Sequence, residues 1–142
     1  MVRVARKAGE RLRGLSVFFP GADTPATTEH ISENIRSRPF NFRLSKFTGR
    51  KDQDNHQWYR GKKDCNGTGE CDEYPFFTTN EGGPGNYPGR VTLKTVPFGE
   101  SSPQGGSLGG FYRSCGLPEN GKFVVVPSMA FEHTTFICGR DF

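Results

Sequence analysis

The sequence predicts an α+β fold: a small single domain with a mainly antiparallel sheet, two helices and two disulfides. Three observations carry this. Short apolar or alternating runs, separated by Gly- and Pro-rich punctuation, have the period of strands. Two Ser/Thr-to-Pro entries, at Thr24-Pro25 and Ser102-Pro103, open segments of helical period. Four cysteines within 142 residues include no CxxC pair, so disulfides are expected in place of a zinc site.

Composition narrows the rest. Only 32% of the residues are hydrophobic, yet there are 13 Phe, so aromatic rings must build much of the core. No run of about 18 apolar residues occurs, which argues against a membrane-spanning helix. Nineteen Lys and Arg against fifteen Asp and Glu give a net charge of +4, a mild preference for polyanions such as nucleic acid.

In chain order, residues 1–14 read as a solvated basic arm, with Arg3, Arg6, Lys7, Arg11 and Arg13, preceding a domain over 15–142. No apolar signal core follows the arm. The expectation is either a leader already removed or the terminal piece of a longer exported protein. Leu15 to Phe19 is a compact apolar strand closed by Pro20-Gly21. Thr24 caps a helix running to about Arg38, with Ala26, Ile31 and Ile35 on its apolar face. Phe40 to Ser45 alternates with period two and predicts a second strand.

Thr48 to Gly69 is a polar loop in which Arg50, Lys51, Arg60, Lys62 and Lys63 interleave with His56, Trp58 and Tyr59. That mixture suits a surface that tracks phosphates. Asn66-Gly67-Thr68 would accept a glycan if a eukaryote secreted the chain. Pairing in sequence order, Cys65 with Cys71 and Cys115 with Cys138, is expected among the three connectivities, and implies an oxidising compartment.

Cys71-Asp72-Glu73-Tyr74-Pro75 is then read as a strand broken off by the proline, which places Asp72 and Glu73 at the strand end, followed by Glu81-Gly82-Gly83. Adjacent side chains on a strand face opposite ways, so one of Asp72 and Glu73 is expected to line a cleft. Arg90 to Val96 is a β-branched alternating strand. After it, Ser101 or Ser102 caps a second helix whose stripe is Leu108, Phe111 and Tyr112, its glycines packing closely on the sheet. Phe123 to Val126 and Thr134 to Cys138 close the fold as strands. No P-loop, dinucleotide fingerprint, internal repeat or Ser/His/Asp or Cys/His motif is present. His30, His56 and His133 read as structural or surface histidines.

These ordered motifs, Leu-Ser-Val-Phe-Phe-Pro with the Glu29-His30-Ile31 helix, then Cys71 to Phe76, Glu81 to Gly83, and Val96-Pro97 through Glu100 to Leu108, resemble the NucA/NucB deoxyribonuclease family. The resemblance spans roughly residues 15 to 115. It implies secreted, metal-dependent, sequence-nonspecific DNA cleavage on a small α+β scaffold with a ββα-metal-like active site. It also implies Asp72, Glu73 and Glu81 as catalytic carboxylates, and Glu100 with Ser101 at the metal. Where the family commonly has Asn after the acidic position, this chain has Ser101, a poorer neutral ligand.

Chemistry points the same way, because phosphodiester hydrolysis needs an activated water and a cation on the phosphoryl and leaving oxygens. Asp72 or Glu73 is the expected base, Glu100 the ligand of a magnesium or manganese ion, and Glu81 a supporting group. Gln104 and the five cations Arg50, Lys51, Arg60, Lys62 and Lys63 are the expected DNA contacts. A monomer acting on DNA is expected, with a neutralising immunity protein as partner if the chain is a toxin domain. The alternative is a catalytically silent nucleic-acid-binding module on the same disulfide scaffold.

Overall fold

A computed structural model describes residues 14–49, 58–65 and 67–139. In chain order it contains β1 (Ser16–Phe19), α1 (Pro25–Ser37), β2 (Arg43–Ser45), β3 (Glu70–Tyr74), β4 (Thr92–Val96), α2 (Ser101–Ser114), β5 (Lys122–Val125) and β6 (Thr135–Ile137). Short 3-10 turns cover Pro39–Phe42, Lys63–Cys65 and Pro84–Asn86. Four strands form one sheet in the order β2-β5-β1-β6, while β3 and β4 form a separate hairpin. β1 runs parallel to β5, with Val17 beside Val124, and the other pairings are antiparallel. The sequence expectation of an α+β fold with two helices and antiparallel-dominated sheets therefore holds.

Rings make the core, as the composition required. Phe18 of β1, Phe111 of α2 and Phe123 of β5 are fully buried, with Ile31 of α1 and Tyr74 of β3 in the same cluster. The Phe111 centroid lies 5.4 Å from those of Phe18 and Phe123 and 5.6 Å from that of Phe136. Burial of each such ring stabilises by about 1.5–3 kcal/mol. Both disulfides form in sequence order, Cys65–Cys71 at the start of the hairpin and Cys115–Cys138 between the end of α2 and the residue after β6.

Local patterns misled in four places. Phe40 to Phe42 is a 3-10 turn opened by Pro39 and only Arg43–Ser45 is strand, so Asn41 is buried while Phe40 and Phe42 are exposed. Asn41 earns its burial by bonding: its Nδ2 donates to Asn34 Oδ1 at 2.7 Å, and its carbonyl accepts the Tyr74 hydroxyl at 2.7 Å. Neither Ser101 nor Ser102 caps α2; Glu100 is the N-cap residue, and the carboxylate of Glu70 takes the orphan N–H groups. The α2 glycines do not pack tightly, since a Cβ on Gly105, Gly106 or Gly110 would meet open space. Asp72 lies in the middle of β3 and not at its end. The basic arm through Arg13, together with Arg50, Lys51, His56 and Asn66, lies outside the described residues.

The turn after β1 is stitched to the start of β6 by Asp23. Its carboxylate accepts the Thr134 N–H at 3.0 Å and the Thr134 hydroxyl at 2.7 Å. Burial pushes this carboxyl up, but the Thr134 bonds outweigh it and hold it below its ordinary value of 3.8. A carboxyl lowered by folding contributes stability above its unfolded pKa, lost as pH falls through the folded value. Asp23→Asn is accordingly expected to melt below the wild type at pH 6, with the gap closing below about pH 4. A gap of equal size in melts at pH 6 and pH 2.5 would contradict this role.

Candidate active site

β3 pairs with β4 on one edge only, and a cleft of about 850 Å³ opens between it and the first turns of α2. Glu70, Asp72, Glu73 and Ser101 line it, Phe76, Phe77 and Leu108 supply apolar wall, and Tyr59, Arg60 and Phe98 also face it. The chain order β3-β4-α2 is a ββα unit.

Asp72 is buried, and its Oδ2 lies 2.6 Å from His30 Nδ1. His30, one of the buried residues of α1, reaches Thr92 Oγ1 of β4 through Nε2 at 2.9 Å. Thr92 Oγ1 in turn accepts from Asn34 Nδ2 at 2.8 Å. One arrangement satisfies every atom of this chain: Nδ1–H donates to Asp72, and Nε2 accepts the Thr92 hydroxyl proton. Burial pushes the Asp72 carboxyl above its ordinary value; the His30 bond opposes the rise and the neighbouring Glu100 and Glu70 charges add to it. The sequence reading missed this pairing. The one signal for it was that His30 falls between Thr27 and Asn34 on the buried face of α1.

The other carboxylates are committed differently. Glu70 Oε1 accepts the N–H groups of Gly99, Glu100 and Ser101 at 2.7–3.2 Å. Glu100 Oε1 accepts from Thr27 N at 3.0 Å and Thr27 Oγ1 at 3.3 Å, so it caps the first turn of α1. Each helix start is thus held by a carboxylate from a distant segment. Gln104 Nε2 adds a third tie, donating to Thr24 Oγ1 at 2.8 Å. Among the described residues Ser101 Oγ is buried with no hydrogen-bond partner.

Glu73 lines the cleft as well, where the alternation of the strand led to the expectation that only one of Asp72 and Glu73 would. It accepts the Trp58 indole N–H at 3.0 Å, and Trp58 packs on Tyr87 at 5.4 Å between centroids. Glu81 is not among the cleft residues. Its two oxygens accept the Ser45 N–H and hydroxyl at 2.8 Å. Gly82 explains the turn that holds it: a Cβ there would overlap the Phe76 carbonyl, and Gly83 takes φ +84. Arg60, Lys62 and Lys63 are exposed, with Lys62 Nζ 5.8 Å from the Tyr87 ring centre. Among the described residues no three His, Cys, Asp or Glu side chains converge on one point as a cation cage.

Fold and site together define a class of protein: a disulfide-tied α+β domain whose ββα unit opens a carboxylate-lined cleft beside exposed cations, a layout suited to hydrolysing a phosphodiester. No curated protein and no solved structure matches the chain. Residues 26–126 match the model of the deoxyribonuclease NucA/NucB family, and the chain belongs to that family. Membership makes it a nuclease whose substrate is DNA. Among the described residues no helix is long and apolar enough to cross a membrane.

Proposed function

We propose that the protein is a metal-dependent, sequence-nonspecific endonuclease that hydrolyses DNA phosphodiesters outside the cell that makes it, as a secreted enzyme or a delivered toxin domain. Asp72 carries this reading: a buried carboxylate on the wall of an open cleft, fixed by His30 and made more basic by its burial. The two disulfides support an oxidising compartment. A delivered nuclease would need a neutralising immunity protein in its producer.

A divalent cation fits the donors at the start of α2. Among the described residues Ser101 Oγ is a buried oxygen without a partner, and Glu100 uses only Oε1 on Thr27. One charged and one neutral oxygen suit magnesium or manganese, which keep several waters and take few protein ligands. Such an ion, when bound, neutralises charge on the phosphoryl and leaving oxygens. Asp72 takes the proton of the attacking water, and His30 holds Asp72 in place through Nδ1. Glu73, anchored on Trp58, is the reserve base, while Glu81 braces the loop between β3 and β4. Arg60, Lys62 and Lys63 hold the flanking phosphates.

The absence of a three-ligand cage among the described residues favours one competitor, a binding module without catalysis. Plasmid nicking in magnesium or manganese, with and without chelator, separates the two. Nicking abolished by chelator is expected; binding without nicking selects the module. Binding should also weaken steeply with salt. Replacing Lys62 and Lys63 by Ala is expected to reduce the log-log salt slope by about 1–2, and an unchanged slope would remove these lysines from the DNA surface.

A further inference from the structure

Phe98 is 76% exposed, the most exposed large apolar side chain among the described residues. Phe40, the next most exposed ring at 58%, carries the Arg90 guanidinium 5.0 Å from its ring centre. Among the described residues neither a ring nor a cation packs on Phe98. It is nevertheless held in a defined place. Its turn joins β4 to α2, Gly99 takes φ +91, and the backbone N–H groups of Gly99, Glu100 and Ser101 all bond to Glu70 Oε1. That same turn faces the cleft containing Asp72. An apolar ring is thus presented on anchored backbone, without a ring or cation partner among the described residues, in the same cleft as the carboxylate that would attend the scissile phosphate.

We propose that Phe98 stacks on an unpaired base of the strand being cut, so that the enzyme prefers single-stranded or locally opened DNA to intact duplex. The inference rests on the deoxyribonuclease reading above. A phenyl ring has no donor or acceptor with which to read a base edge, but every base offers a π-face, so the contact tolerates any sequence. In a closed duplex those faces are covered by neighbouring bases, and the ring would meet only sugars, phosphates and groove edges. Arg60, facing the same cleft, supplies the phosphate contact that a phenyl ring lacks.

The test compares one sequence as a single strand, as a duplex with a central unpaired bulge, and as a closed duplex. Phe98→Ala is expected to lower kcat/KM on the single strand about tenfold, mostly through KM, with an effect below about twofold on closed duplex. The bulged duplex distinguishes a free strand from an opened one as the source of the base. Phe98→Trp should retain the preference, and Phe98→Leu, apolar without a π-face, should not. A second readout needs no cleavage: in chelator, a single strand carrying 2-aminopurine should be quenched by the wild type and not by Phe98→Ala. Equal losses on all substrates, no loss on any, or full activity with Leu would overturn the stacking role. If the wild type cleaves no DNA in magnesium or manganese, the nuclease reading fails, and the quench alone then decides whether Phe98 stacks on a base.

Discussion

Asp72→Asn is expected to cut DNA cleavage by roughly 10²–10⁴-fold while leaving DNA binding intact. Asn has the size of Asp and can still accept the His30 Nδ1–H, but it cannot take a proton from water. The variant should not melt lower than the wild type at neutral pH, and the sign follows from the upward shift of the Asp72 carboxyl. A group raised by folding contributes stability that is fully present below its unfolded pKa and is lost as pH rises through the folded value. Removing the charge therefore removes a cost at pH 7, and lost activity with unchanged or higher melting temperature marks chemistry and not misfolding. Glu100→Gln should also lose cleavage, because the amide keeps an acceptor for Thr27 N–H but drops the charge that attracts a cation. Excess magnesium or manganese should partly restore that variant and not Asp72→Asn. Glu73→Gln is the comparison, since the amide oxygen preserves the Trp58 bond. Wild-type rates for Asp72→Asn would sink the proposed base, and a larger loss at Glu73 would transfer the role.

Reduction is expected to destabilise the protein strongly, and unequally at its two bridges. Cys115–Cys138 closes a separation of 23 residues and Cys65–Cys71 one of 6. Loop-closure entropy assigns about 3 kcal/mol to the first and about 2 kcal/mol to the second. For a chain of this size the longer bridge corresponds to a melting shift of roughly 10 °C. Replacing Cys115 and Cys138 by Ser should therefore lower the melting temperature more than replacing Cys65 and Cys71. The shorter bridge should matter more for cleavage, because it ties the loop carrying Tyr59 and Arg60 to β3. A reversed order in both assays would contradict this division.

What the sequence made legible was local. Pro25 at the first turn of α1, the β-branched run of β4, the Leu108, Phe111 and Tyr112 stripe and the cysteine pairing each depend on neighbours in the chain, and each appears in the structure. What stayed hidden was non-local. Both helix starts are held by side chains far away in sequence, Glu70 on α2 and Glu100 on α1, so no reading of Ser101 or Ser102 as caps could have found them. The Phe-x-Phe alternation looked like a strand because period two says nothing about which face is buried. The answer was set by Asn41 bonding to Asn34 and Tyr74. His30 was invisible as a partner because its contact with Asp72 spans 42 residues. Of the acidic motif, the sequence showed the residue types but not that both Asp72 and Glu73 would line the cleft, nor which of them would be buried.

The pairing of β1 has a consequence for when this protein can become whole. Both neighbours of that strand, β5 and β6, lie about a hundred residues further along the chain. A nascent polypeptide leaving the ribosome thus carries β1 without β5 until Val125 has been made and without β6 until Ile137 has been made, and pairing over such distances is intrinsically slow. Phe111 on α2 waits as well, since Phe123 and Phe136 complete its packing. One wall of the cleft is therefore assembled last. A deoxyribonuclease chain cut short before β5 is expected to lack both neighbours of its first strand and the packing of Phe111 behind the cleft.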